Sequence, residues 1–114
     1  MTYFTANLTE EEREVRDELA RQNAKFGEQN HPDGTSPSGW REDAIEARKY
    51  CQEAAVNGNL TWSDILLEEV YEAFAEADPD ALLAELLQVE AVARQWRMAI
   101  RRRLAADQSG EASR

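Results

Sequence analysis

Glu68, Glu69 and Glu72 stand close together on one stretch of the chain, and Glu85 and Gln88 on the next. Both stretches read as helices, joined at Asp78-Pro79-Asp80. Side chains three apart share one face of a helix. Two such pairs on antiparallel neighbours can therefore hold a hard cation such as Mg²⁺ between them. Glu69 and Glu72 lie six to nine residues before the turn, and Glu85 and Gln88 lie five to eight after it, so the pairs fall at matching heights. Carboxylates crowded into one small volume raise each other's pKa unless a divalent cation neutralises them. Mg²⁺ keeps waters and takes its other ligands from phosphate oxygens, which suits phosphate handling better than a closed cage.

Each feature also has a plainer account. Glu68, Glu69 and Glu72 fall within about 100° of one another on the helix, and a solvated acidic face explains them. Ile65 shares that sector, however, and Glu69 borders the apolar stripe beside Leu66 and Ala73. Glu85 is harder to explain in this way. It falls among Leu82, Leu86, Val89, Val92, Ala93, Trp96 and Ile100, on the apolar face of its helix, with Gln88 at the edge. An unpaired charge there costs several kcal/mol. Glu85 needs a salt bridge, a proton or a metal ion. Glu90, Arg94, Arg97 and Arg101 form the opposite face, which reads as solvated.

Other reactive residue types offer less. His31 is the only histidine and lies in a loop, with no Ser or Cys arranged around it as a nucleophile. Cys51 alone makes neither an internal disulfide nor a cysteine-based zinc site. Trp40 and Trp62 flank helix starts and read as anchors, with stacking on a base as the alternative. Arg101, Arg102 and Arg103 suit a helix C-terminus electrostatically, with phosphate contact as the alternative. There is no glycine-rich phosphate loop.

The elements that must position these residues are helices. Thr9 and Glu12 form a capping-box pattern, which predicts helix one over 10–25 after a loose lead-in at 1–8. Its apolar stripe is Val15, Leu19 and Phe26, with Gln22 inside it, and Gly27 ends it. Residues 28–39 have loop composition. Helix two is predicted over 40–55, with a small-residue stripe of Trp40, Ala44, Ala47, Cys51 and Ala54 that allows a neighbour to approach closely. Asn57-Gly58-Asn59 stops it. Thr61 and Asp64 repeat the capping box for helix three, whose core stripe is Leu66, Val70, Ala73, Phe74 and Ala77. Asp78 caps helix four, Pro79 stands in its first turn, and the helix runs to about residue 105. A disordered tail is expected over 106–114. With no strand pattern anywhere, the chain reads as an all-α domain over 1–105, a four-helix bundle.

The 114 residues suit one domain, and its size and small-residue stripe suit a homo-oligomer. A net charge of −10 leaves no electrostatic footprint for DNA or RNA. No apolar run reaches the length of a membrane span, and the N-terminus lacks the basic region of a signal peptide. A lone cysteine fits a reducing compartment, so a cytoplasmic location is expected.

The pattern Glu68-Glu69-x-x-Glu72, a spacer, then Glu85-x-x-Gln88 resembles the all-α nucleoside triphosphate pyrophosphohydrolases of the MazG-like superfamily, which includes the dimeric dUTPases. Arg21-Gln22-x-x-Lys25-Phe26-Gly27-Glu28-Gln29, followed by His31-Pro32-Asp33-Gly34, is similar to the opening of a branch frequent in phages and actinobacteria. So is Ala84-Glu85-Leu86-Leu87-Gln88-Val89, then Ala91-Val92-Ala93-x-x-Trp96. The likeness covers roughly residues 10–103.

The resemblance implies Mg²⁺-dependent hydrolysis of a nucleoside triphosphate to monophosphate and pyrophosphate, with Mn²⁺ as an alternative ion. It implies Glu69, Glu72, Glu85 and Gln88 as metal ligands, and Glu68 and Glu69 as the catalytic carboxylates, with Glu68 serving the water. Gln22 would contact the base and Lys25 a phosphate; their plainer roles are an interior amide and a surface lysine. A homodimer or homotetramer is implied too. Gln88 stands where the family signature has Asp and brings no charge. The alternative expectation is therefore an inactive relative that binds a nucleotide or a protein.

Overall fold

The computed structural model describes the backbone of residues 2–110 and the side chains of residues 9–110. It contains four helices: α1 (Thr2–Phe26), α2 (Pro37–Val56), α3 (Trp62–Phe74) and α4 (Pro79–Gln108). The described residues include no strand, so the all-α expectation holds. They divide into two compact units. One comprises the chain up to Pro32 together with the segment from Arg97 onward, and the other spans Asp33–Trp96.

The second unit begins at a well-made helix start. Ser36 has extended backbone, and its hydroxyl accepts a hydrogen bond from the Gly39 amide at 3.1 Å. Pro37 occupies the first turn, where a missing N–H costs nothing. Helix α2 therefore starts three residues before the expected Trp40. The Ser36 amide donates to the Phe74 carbonyl at 2.9 Å, which ties this start to the end of α3.

Helices α2 and α3 pack closely. The small side chains anticipated along α2 make this possible, with Cys51 and Ala54 buried on one side and Ala73 on the other. The Cys51 thiol donates to the Asp64 carbonyl at 3.1 Å. Trp40 anchors the far end, 4.9 Å from the Phe74 ring and 5.9 Å from that of Tyr71, centroid to centroid.

Helix α3 starts where Thr61 and Asp64 predict. The Asp64 amide donates to the Thr61 hydroxyl, and the Thr61 amide donates to the Asp64 carboxylate. This box satisfies two otherwise orphaned N–H groups and contributes about 1 kcal/mol. The Asp78 carboxylate accepts from the Ala81 amide at 2.9 Å and caps α4. That helix ends at Gln108, three residues past the expected end; residues 111–114 of the expected tail lie outside the described residues.

The first unit departs further from expectation. Helix α1 is already helical from Thr2, so Thr9 lies inside it rather than at its start. Gly27 does close it, at φ 67, with its amide donating to the Asn23 carbonyl at 2.8 Å. A β-carbon is disfavoured at that φ, which explains the glycine. The expected apolar stripe on α1 is not buried: Leu19 is 60% exposed and Phe26 58%. Among the described residues, Glu11 is the largest side chain that is fully buried. Arg97 and Arg101, expected on the solvated face of α4, clamp it from residues 97–108, with one guanidinium nitrogen 2.9 Å from each carboxylate oxygen. Neither oxygen meets hydrogen-bond geometry, so the contact is chiefly one of charge with charge. Both arginines also pair with Glu14. Arg101 holds the Glu14 carboxyl below its ordinary value, chiefly through that hydrogen bond.

Candidate functional site

Helices α3 and α4 each carry acids that meet within the Asp33–Trp96 unit. Glu69 and Glu72 are one turn apart on α3, and Glu85 lies on the face of α4 that includes buried Leu82 and half-buried Val89 and Val92. One carboxylate oxygen from each of the three lies within 4.8 Å of the other two. All three side chains are half-buried. Across the turn at 78–80, Glu85 meets Glu69 and Glu72.

The local electrostatics follow from this crowding. Burial raises the Glu69 carboxyl above its ordinary value, and Glu72, Glu68 and Glu85 raise it further. Burial likewise raises Glu85, with Glu72 and Glu76 adding to it. Arg48 opposes both shifts. Its guanidinium donates to Glu72 at 2.6 Å and lies 3.8 Å from Glu68.

Sequence patterning gave no sign of Arg48. It lies on α2 beside Ala47 and Cys51, and only the packing of α2 on α3 brings it to the acids. Its side chain is 59% exposed.

The geometry is compatible with a hard cation. An octahedral Mg²⁺ at about 2.1 Å from its ligands separates adjacent oxygens by about 3 Å and opposite ones by about 4.2 Å. Three carboxylates leave the remaining coordination positions to water or phosphate oxygens. Glu68 is the neighbouring acid, with a side chain 22% exposed.

The other expected site residues are placed differently. Gln88 is exposed, one turn beyond Glu85 on α4. Gln22 and Lys25 belong to the other unit and are exposed on α1. Gln22 is not an interior amide: its nitrogen donates to the Glu18 carboxylate at 3.2 Å. The Lys25 ammonium lies 5.1 Å from the centre of the Phe26 ring. His31 bonds to the Gln29 side chain in the exposed loop. Among the described residues, no helix is long and apolar enough to cross a membrane. Comparison with protein-family models, with curated proteins and with solved structures finds no match to this chain.

Proposed function

We propose that the protein is a divalent-cation-dependent nucleoside triphosphate pyrophosphohydrolase, acting in the cytoplasm as a homodimer or homotetramer. The observation that carries this reading is the meeting of Glu69 and Glu72 with Glu85, a carboxylate set among apolar neighbours on a second helix. Helical acids are common, but a solvated face does not require one on the core side of the facing helix. In this reading Glu69, Glu72 and Glu85 hold Mg²⁺ or Mn²⁺, with Gln88 supplying a neutral oxygen from the rim. The ion would supply charge neutralisation at the phosphates and polarise the attacked phosphorus.

The chain's own residues do the rest. Glu68, beside the cluster and outside the ligand set, orients the attacking water and accepts its proton. Water adds to the α-phosphorus, the α–β anhydride bond breaks, and pyrophosphate leaves with the bond's electron pair.

The test is to incubate the protein with ribo- and deoxyribonucleoside triphosphates and Mg²⁺ while measuring pyrophosphate. Release is expected from at least one nucleotide, abolished by Glu69→Gln or Glu85→Gln and retained in Glu90→Gln. No release from any nucleotide at high protein concentration sinks the reading.

The exposed, uncharged Gln88 favours one second reading, a non-catalytic relative that binds a nucleotide or a protein. Calorimetric nucleotide binding without turnover, and turnover gained by Gln88→Asp, would distinguish it.

A further inference from the structure

A single divalent ion would leave the acid cluster of the Asp33–Trp96 unit negative, because Glu68, Glu69, Glu72 and Glu85 together outweigh it. The chain as a whole carries a net −10. A nucleoside triphosphate is itself a polyanion, whose terminal phosphate loses a second proton at about pH 6. Bringing it to these acids calls for a further cation beside them. Arg48 is a basic side chain that the packing of α2 on α3 sets there.

The contacts of Arg48 suit that task better than they suit a fixed staple. Its guanidinium reaches one proposed ligand, Glu72 at 2.6 Å, and the acid outside the ligand set, Glu68 at 3.8 Å. The Arg48 side chain is 59% exposed against 18% for Glu72. The cation has room to turn away while the acid stays in place. An ion pair with one partner so exposed is worth little, so breaking it costs little. A guanidinium also presents parallel N–H groups that pair with two oxygens of one phosphate, which an ammonium does not.

We propose that Arg48 is a substrate-binding residue: its guanidinium leaves Glu72 when that carboxylate serves the ion, and pairs with the pyrophosphate end of the triphosphate. That end carries most of the negative charge and departs as the leaving group. This rests on the hydrolytic reading above and adds a residue to it. The exchange has two effects of opposite sign, since Arg48 hinders the ion and helps the substrate. A residue that only fastened α2 to α3 would favour both or neither.

Isothermal titration on the full chain separates these cases. Relative to wild type, Arg48→Met should bind Mn²⁺ more tightly. In the presence of Mg²⁺ it should nevertheless bind inorganic pyrophosphate about 30-fold more weakly, the order of one charge-assisted bidentate pair. Arg48→Lys keeps the charge without the fork and should recover part of this loss. Binding of a nucleoside monophosphate should be nearly unchanged. Arg48 is exposed, so circular dichroism should show the same helix content in both variants. Unchanged pyrophosphate binding in Arg48→Met overturns the proposal. A parallel loss of Mn²⁺ and pyrophosphate binding also overturns it, and marks a structural staple. Nucleotide hydrolysis by the wild type alongside either result would leave the hydrolytic reading standing. A wild type that neither binds Mn²⁺ nor hydrolyses any nucleotide overturns both.

Discussion

Arg48 on α2 lies 2.6 Å from Glu72 on α3, so one of the three clustered acids already has a cation supplied by the chain. The guanidinium also opposes the raised carboxyls of Glu69 and Glu85. A divalent ion held as proposed would compete with the arginine for Glu72. Replacing Arg48 with Met should therefore tighten Mn²⁺ binding by about 5-fold, the order of one screened ion pair. Isothermal titration of wild type and variant measures this. Weaker binding in the variant would instead make Arg48 a support for the ligand geometry.

The pH dependence of stability should carry the mark of the same cluster. Glu69 and Glu85 have folded-state values raised above the ordinary 4.5. Their contribution is fully present below the unfolded value and is lost as pH rises through the folded one. Glu14 and Glu18 are lowered, so their contribution has the opposite sign: it is present above 4.5 and lost as pH falls. Melting without divalent ions should thus weaken on both sides, and Glu85→Gln should flatten only the decline toward neutral pH. Added Mg²⁺ should raise the melting temperature more at pH 7.5 than at pH 5, since protons compete for the same oxygens. Equal shifts at both pH values would argue against carboxylate ligation.

Cys51 offers a probe of the α2–α3 seam. Burial, with the negative neighbours Glu68 and Asp64, pushes its thiol up to about 11. At pH 8 its thiolate is scarce, so alkylation of the folded protein should be about 100-fold slower than of an unperturbed thiol. Denaturant should restore the ordinary rate. Rapid labelling of the native protein, followed by mass spectrometry, would show that the seam opens readily.

Glu11 should matter more than any apolar residue of α1 among those described. Glu11→Ala leaves Arg97 and Arg101 facing each other without their buried counter-charge. Loss of a buried partner costs about 3–5 kcal/mol. Both arginines are more than a third exposed, which reduces the expected cost to about 2 kcal/mol. Urea denaturation of the two proteins measures the difference, and a change below about 0.5 kcal/mol would show that the clamp contributes little.

Much of the Asp33–Trp96 unit was legible because its determinants are local. Thr61 and Asp64 are three apart and form their box within one turn. Asp78 and Pro79 set the next helix start in the same way. The small residues along α2 face α3 because a helical period of 3.6 puts them on one side. The short turn then fixed the heights of Glu69, Glu72 and Glu85 without reference to anything distant. The start of α2 lies three residues earlier than expected because Ser36 and Pro37, within a stretch of loop composition, make a cap with a proline behind it.

The sequence by itself determined the helical class and the acids that α3 and α4 carry toward each other, because both depend on spacing within or just across a turn. Tertiary structure alone decided which arginines meet which acids. Arg48 reaches Glu72 across 24 positions and Arg97 reaches Glu14 across 83. A charged residue gives no periodic signal of its partner: the Coulomb attraction that fixes Glu11 beneath Arg97 and Arg101 depends on distance in space, and the local pattern of α1 pointed to Leu19 and Phe26 instead. The position of Glu85 among apolar residues could be read from the helical period. The cation that α2 brings to the acids required the packed chain.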